Sequence, residues 1–378
     1  MLFFASNGWN VREMVTREGF SPLSESRMSS PFVLLGLMLA PHKSTEAQKT
    51  LREYLQHHDV SWKTLRRTAE RHRCTAMWYQ RLRDDALLDL LPTSLRDELH
   101  RAWQENSERN ANCRQTLGTI LQTFQKASIE VALLKDTVAF CDSLHGDPGA
   151  PFVEQLNLLV RPNQSDSAWN LLRQQGYEEL ESAARRPRAA ARRQQQPSLL
   201  RRPGSVVQVA LHTRPAFGQA GRLLPERLYF EEGELTSFDG ARVHIPRPHV
   251  RIFHQALEAL LPQRQFARGH ISLPHLAEFT LLARRYNGCF EWSRWMERAL
   301  NNGLGNAFGA YLLLTEHLMG LPWPCVSKTF MAQRHFARIL AAEKDAEIPQ
   351  GILTRLLTRG YTWGTIPVWE WDRAGSQG

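Results

Sequence analysis

Apolar residues recur at helical spacing through the first third of the chain and again through its last third. In the segment STEAQKTLREYLQHH, Leu51 and Leu55 share one helical face and Ser44 is a suitable N-cap. The run that follows Pro92 continues for about seven helical turns before its first glycine, which predicts one long connecting helix. We therefore expect residues 31–127 to be helical.

The pattern changes to short continuous apolar runs in the middle of the chain. IEVALL, which begins at Ile129, and Leu156–Val160 predict two buried strands, separated by the turn-rich HGDPGAP. SDSAWNLLRQQGY then predicts a helix that ends at Gly176, and SVVQVALH predicts a further strand. Helical spacing returns after Pro248. The predicted fold class is α+β, a small mixed sheet flanked by N- and C-terminal helical regions.

This pattern divides the chain into four segments. They are a weakly ordered extension over residues 1–30, a helical region over 31–127, an α/β core over 128–247, and a second helical region over 248–378. The last segment ends in an aromatic tail, YTWGTIPVWEWD, which is a candidate contact for a protein partner.

A basic insert over residues 183–204 interrupts the predicted core. The formal net charge of the chain is +9, and arginines concentrate in this insert, so it is a candidate anion-binding segment. No aromatic residue lies among the arginines, so stacking on nucleic-acid bases is not indicated, although nucleic acid stays a possible partner. The alternative is a solvated loop. The seven arginines are Arg185, Arg186, Arg188, Arg192, Arg193, Arg201 and Arg202.

Composition and motifs exclude several classes of protein. An apolar fraction of 42% with 22% charged residues is ordinary for a globular chain and argues against disorder throughout. Five dispersed cysteines without CxxC spacing indicate reduced thiols and a cytoplasmic protein. There is no HExxH, GxGxxG, P-loop or GxSxG motif, and no apolar run is long enough for a membrane span.

Several short motifs carry a resemblance to a known family. They are Leu133-Leu134-Lys135, the glycine-rich turn at 146–149, Leu158 to Pro162, Gly176-Tyr177 and Leu211-His212. Together they resemble a bacterial nucleotidyltransferase family of the polymerase-β-like superfamily over roughly residues 30 to 330. The resemblance implies a lysine-bearing turn, an Asp-x-Asp pair on the next strand, and a third aspartate before a Leu-His pair.

The chain departs from that pattern where the metal ions would bind. Gln155 and Asn157 occupy the places of the Asp-x-Asp pair, and Ala210 occupies the place of the third aspartate. Nucleotidyl transfer uses two divalent cations, which prefer carboxylate oxygens. Three carboxylates are therefore missing from the site that the resemblance implies, and we expect no tight magnesium site there.

The candidates that remain are few. The resemblance makes Lys135 and His212 candidates for nucleotide binding. The alternatives are that Lys135 is a solvated lysine and that His212 is a structural histidine. Asp136 stands in place of the family's glycine after the lysine, and together with Lys135 it is a catalytic candidate. A rebuilt metal site would draw on Asp136 and on three further acids, Asp142, Asp147 and Glu154.

Two functions are consistent with these residues. The favoured one is a nucleotidyltransferase-family protein that has lost its metal site and serves as a module for binding a nucleotide or another partner, with no cofactor. The alternative is an active nucleotidyl- or phosphoryltransferase that modifies a small molecule, sugar or peptide through unusual ligands. Only the alternative requires magnesium and a nucleoside triphosphate.

Overall fold

The computed structural model describes residues 28–41, 43–142, 144–180, 197–261, 266, 269–286, 292–320, 323 and 329–347. Most of the N-terminal extension, the arginines from Arg185 to Arg193 and the aromatic tail lie outside these ranges. None of the helices that the structure describes is both long enough and apolar enough to cross a membrane.

In the described residues, five α-helices precede the sheet, as the apolar spacing predicts. Ser44 caps the second helix by accepting a hydrogen bond from the backbone N–H of Ala47. The fifth helix is the predicted long connector. The bounds are α1 Pro31–Leu39, α2 Thr45–His57, α3 Trp62–Arg71, α4 Thr75–Asp84 and α5 Thr93–Lys126.

A mixed sheet of seven strands forms the α/β core. Its strand order is β3-β4-β5-β2-β1-β7-β6. β2 pairs antiparallel with β1 and parallel with β5, so these three strands form the centre of the sheet. The strands are β1 Val131–Leu133, β2 Leu156–Val160, β3 Glu178–Glu179, β4 Ser198–Arg201, β5 Gln208–His212, β6 Glu234–Phe238 and β7 Ala241–Ile245.

Eight more helices complete the part of the chain that the structure describes. The helix between β2 and β3 is the predicted one and ends before Gly176, whose φ is 82°. The helices are α6 Ser165–Gln174, α7 Gly218–Leu223, α8 Arg227–Phe230, α9 Pro248–Leu260, α10 Leu273–Arg285, α11 Trp292–Leu300, α12 Gly305–Met319 and α13 Phe330–Glu347. The α+β prediction is therefore confirmed.

Two hydrophobic cores lie on opposite faces of the sheet. One contains α1 together with α9, α10 and α12, so the N- and C-terminal helices share a core. The other lies between the sheet, α6 and the C-terminal half of α5. Because side chains alternate along a strand, Leu159 of β2 contacts the helical core whereas Leu158 and Val160 contact the second core. α5 contributes Leu99 to the first core and Leu117 to the second.

Two stretches of the sheet depart from the sequence prediction. The basic insert was predicted as a loop through residue 204, but its end forms β4, which pairs with both β3 and β5. The β6–β7 hairpin was not predicted. It turns at Asp239 and Gly240, both with positive φ, which is the geometry of a two-residue hairpin turn.

The loop before β2 is held in place by buried amides of α5. Asn110 donates hydrogen bonds of 2.7 Å and 2.8 Å to the carbonyls of Pro148 and Pro151. Asn106 donates to the carbonyls of Gly149 and Pro151. This loop leads directly into Gln155, so α5 fixes the start of β2.

We predict that Asn110→Ala lowers the free energy of unfolding by about 1–3 kcal/mol, because two buried carbonyls lose a donor. Urea denaturation measures the change. Asn112→Ala, an exposed position on the same helix, is the matched control and should change stability little. Equal stability of the two variants would contradict this role of Asn110.

Candidate functional site

The candidate site lies where β1 ends beside the start of β2, on the face of the sheet that meets the C-terminal helices. The backbone N–H of Leu134 donates to the carbonyl of Asn157, and the N–H of Asn157 donates to the hydroxyl of Thr137. Lys135 begins a short 3₁₀ helix between these two contacts and has a φ of 53°. A left-handed backbone is uncommon outside glycine, and such residues concentrate at functional sites.

The three positions at which the resemblance implies aspartates lie on neighbouring strands. Asn157 on β2 is paired with Ala210 on β5. The side-chain amide of Gln155 donates to Asn157 Oδ1 at 3.0 Å, and Asn157 Nδ2 donates to the carbonyl of Gln155. His212 Nε2 lies 3.1 Å from the same Oδ1. The structure therefore brings Gln155, Asn157, Ala210 and His212 together in one uncharged network.

His212 is neutral in this network. Asn157 Oδ1 already accepts from Gln155, so His212 Nε2, which approaches the same oxygen, is the ring nitrogen that carries the proton. His212 Nδ1 is then unprotonated, and it is buried without a partner. Burial, together with the charge of Lys135, lowers the pKa of His212 to about 3. His212 therefore supplies a hydrogen-bond donor to Asn157 but no positive charge near neutral pH.

Lys135 is paired with a carboxylate from a distant helix. Its Nζ lies 3.0 Å from Oε2 of Glu258 on α9, and both side chains keep about a quarter of their surface exposed, 26% and 23%. Burial opposes ionisation of Glu258, but His254 and Lys135 outweigh it and lower the pKa of Glu258. The pair is thus ionic, and it is open to solvent on one side.

Behind this ion pair lies a second hydrogen-bonded chain. Burial raises the pKa of Tyr229 well above its usual value, so its hydroxyl keeps its proton and donates to His254 Nδ1 at 2.8 Å. The other ring nitrogen of His254 lies 3.4 Å from Glu258 Oε1. His254 therefore lies between Tyr229 and Glu258, with its Nε2 close to the carboxylate but without a hydrogen bond to it.

Asp136, which follows Lys135 in the chain, and Glu278 are two further carboxyl groups in this part of the structure. Burial, opposed by the charges of His275 and Lys135, raises the pKa of Asp136. Burial and the nearby charge of Asp136 raise the pKa of Glu278 on α10. Gln255 donates to Glu278 at 3.3 Å. A raised pKa keeps a carboxyl group protonated to a higher pH, which is a property that acid–base chemistry uses.

The other acids considered for a rebuilt metal site are engaged by arginines. Asp142 pairs with Arg251, and Asp147 pairs with Arg83. Glu154 pairs with Arg73 at 2.7 Å. In the described ranges, no group of three or more His, Cys, Asp or Glu residues is placed to hold a metal ion. No metal or cofactor geometry follows from these acids.

The candidate anion-binding arginines are only partly described. Arg201 lies exposed on β4, and the guanidinium of Arg202 lies 4.7 Å from the ring centre of Tyr177. The other five lie outside the described residues. Neither Arg201 nor Arg202 contacts the network around Asn157.

The sequence analysis missed three residues of the site: His254, Glu258 and Glu278. All lie on helices that pack against the sheet, more than a hundred residues beyond Lys135. One signal was present, because His254 and Glu258 are four residues apart and so share a helical face. Nothing in the local sequence indicated that this face meets Lys135.

We predict that acid destabilises the protein partly through His212. The unfolded state takes up a proton near pH 6.5 whereas folded His212 does so only near pH 3, so protons favour the unfolded state as the pH falls through this window. Between pH 7 and pH 5 this loss is about 2 kcal/mol, and His212→Gln should remove most of it. Urea denaturation at both pH values measures the effect.

The exposed His57→Gln is the matched control and should follow the wild type at both pH values. If His212→Gln loses as much stability on acidification as the wild type, His212 is not buried in its neutral form.

Comparison with known proteins gives a family and a structural likeness. A crystal structure of an antigenic nucleotidyltransferase-like protein from Paracoccidioides brasiliensis is similar at 14% identity, covering 63% of this chain and 94% of that chain, with a TM-score of 0.28. A TM-score this low does not establish a shared arrangement of elements. No curated protein matches the sequence.

The family described as "uncharacterised nucleotidyltransferase" matches residues 58–320. The match includes the sheet, the network around Asn157, Lys135 and the helices that carry Glu258 and Glu278. It spans well over half of the chain, and the chain therefore belongs to this nucleotidyltransferase family.

Proposed function

We propose that this protein uses a nucleotidyltransferase-like core as a binding module for a nucleotide or a related anion, without divalent cations on β2 and β5. The observation that carries the proposal is the closed amide–imidazole network of Gln155, Asn157 and His212 beside Ala210. In this proposal the core derives from the polymerase-β-like superfamily, and these positions once held its metal-binding aspartates.

The charge balance supports this proposal. Two divalent cations bring four positive charges, which carboxylates at the site would offset. Gln155, Asn157 and Ala210 bring none, and His212 is neutral. The amide oxygen of Asn157 already accepts from Gln155 and His212, so a metal ion would have to displace both donors.

Lys135 is the cation that this proposal assigns to an anionic ligand. Its ammonium group is partly exposed at the mouth of the site, and Glu258 is its present partner. A phosphate would compete with Glu258 for the same ammonium group, because Lys135 acts as a compact point charge. In this proposal Glu258 holds Lys135 in place until the ligand arrives.

A second candidate function is catalysis through other carboxyl groups. The observation that favours it is that Asp136, next to Lys135 in the chain, and Glu278 both have a raised pKa, and that the charge of Asp136 contributes to the rise at Glu278. A carboxyl group with a raised pKa can accept a proton from an acceptor hydroxyl. This would be a nucleotidyl- or phosphoryltransferase with unusual groups.

Three further expectations stay proposals. The arginines of the insert would bind an anionic partner, with Arg201 and Arg202 nearest to the sheet. The aromatic tail would bind a protein partner. A protein that handles nucleotides and has dispersed cysteines would be cytoplasmic.

We predict that a nucleoside triphosphate raises the melting temperature of the wild type without magnesium, and that Lys135→Ala abolishes the shift. A ligand that binds only the native state stabilises it by about 2.7 kcal/mol at a hundredfold excess over Kd, which thermal denaturation detects. Lys126→Ala, an exposed lysine at the end of α5, is the matched control and should keep the shift.

Turnover of labelled nucleotide separates the two candidate functions. Binding without transfer of label supports the binding module. Label transfer that is lost in both Lys135→Ala and Asp136→Asn would overturn it in favour of the transferase. The absence of any thermal shift with ATP, GTP, CTP or UTP would contradict both.

A further inference from the structure

A groove of about 270 Å³ lies beside the site, between α4, α5, the loop before β2 and the start of α10. Much of its wall is apolar and comes from small side chains, among them Ala76, Ala102 and Ala150. Small-molecule sites usually enclose roughly 300–1,000 Å³. The groove is therefore large enough for one part of a ligand, and the rest of that ligand would lie outside it.

Phe152 gives the groove an aromatic wall. The side chain of Phe152 is 37% exposed, which is high for a phenylalanine in a folded protein. The guanidinium carbon of Arg109 lies 4.7 Å from its ring centre, and that of Arg73 lies 6.0 Å away. Flat aromatic and guanidinium surfaces are those on which nucleobases stack.

Arg109 is fixed without a carboxylate partner in the part of the chain that the structure describes. Its guanidinium donates to the backbone carbonyls of Val153 and Glu154. Its charge is therefore not neutralised by an ion pair. The groove thus joins an uncompensated cation to an aromatic ring, which suits a planar group that carries an anion.

The groove also contains acceptors for the N–H groups of a base. Glu105 lines it, as does Asn106. Asn106 donates both hydrogen bonds from Nδ2 to backbone carbonyls, while its buried Oδ1 has no partner. An unpaired buried oxygen favours a ligand that donates to it.

The groove adjoins the site around Lys135 through two connections. Pro274 lines the groove, and the next residue, His275, acts electrostatically on Asp136. Glu154 pairs with Arg73 on the rim of the groove and also acts on Asp136. Phe152 also lies three residues before Gln155, whose amide donates to Asn157, so the loop that carries the groove wall leads directly into the site.

We propose that the groove at Phe152 binds the base of a nucleotide whose phosphates contact Lys135. The phosphate half of this inference rests on the proposed function, whereas the base half rests on the groove alone. The two halves make separable predictions, because a nucleoside lacks the phosphates and inorganic triphosphate lacks the base.

Two measurements test both halves. Calorimetric titration measures the binding of adenosine, guanosine, cytidine and uridine. Thermal shifts measure the binding of inorganic triphosphate and of the nucleoside triphosphates. We expect at least one nucleoside to bind the wild type, and Phe152→Ala to weaken that binding about ten- to hundredfold. Phe152→Trp should retain it. Ala102→Phe, which fills the groove from α5, should also abolish nucleoside binding while triphosphate binding stays unchanged.

Lys135→Ala should do the reverse, losing triphosphate binding and keeping nucleoside binding. Leu235→Ala, a similarly exposed apolar residue on β6, is the matched control for Phe152→Ala and should change neither.

If triphosphate binds but no nucleoside does, and nucleotides bind no better than triphosphate, the groove inference is wrong and the proposed function stands. Nucleoside binding that depends on Phe152, without triphosphate binding, supports the groove and contradicts the proposed function. Binding of neither contradicts both.

Discussion

The burial of polar side chains between the sheet and the C-terminal helices is the constraint on which the rest of the structure depends. Asn157 and His212 lie on the sheet face that meets the helical core, where an unpaired polar group is costly. Asn157 Oδ1 accepts from both Gln155 and His212 Nε2, whereas Nδ1 of His212 is buried without a partner. A metal ion at Asn157 Oδ1 would have to displace these two hydrogen-bond donors.

The same constraint explains the groups around Lys135. Its charge lies next to a largely buried network and is balanced by Glu258, which lies beside His254. An ion pair that is open on one side can exchange partners, because solvent and ligand reach it. The pair therefore holds Lys135 in position and leaves it available to an anion.

The local parts of this fold were predictable from the sequence, and the long-range parts were not. Leu156–Val160 is a continuous apolar run between turn residues, so its bounds were confirmed to the residue. β4 was taken for loop because it lies in a basic, proline-containing stretch and gains its order from pairing with two strands. The Asp239-Gly240 pair indicates a hairpin turn in the sequence, but the β6–β7 hairpin was not predicted from it.

The candidate site divides in the same way. Gln155, Asn157 and Ala210 were predicted as one group because strand alternation and the family pattern place them on neighbouring strands, whereas His212 was a separate candidate. Glu258 and Glu278 were not predicted, because their proximity to Lys135 depends on how α9 and α10 pack against the sheet. Helix packing of this kind is set by whole faces of side chains, and no local motif encodes it.

The central claim is that the start of β2 and β5 holds no divalent cations. Anomalous diffraction from crystals soaked with Mn²⁺ and a nucleoside triphosphate tests it most directly, because manganese takes the same oxygen ligands as magnesium. We predict no anomalous peak within bonding distance of Gln155, Asn157 or Ala210. Two manganese ions bridged at those positions would contradict the account.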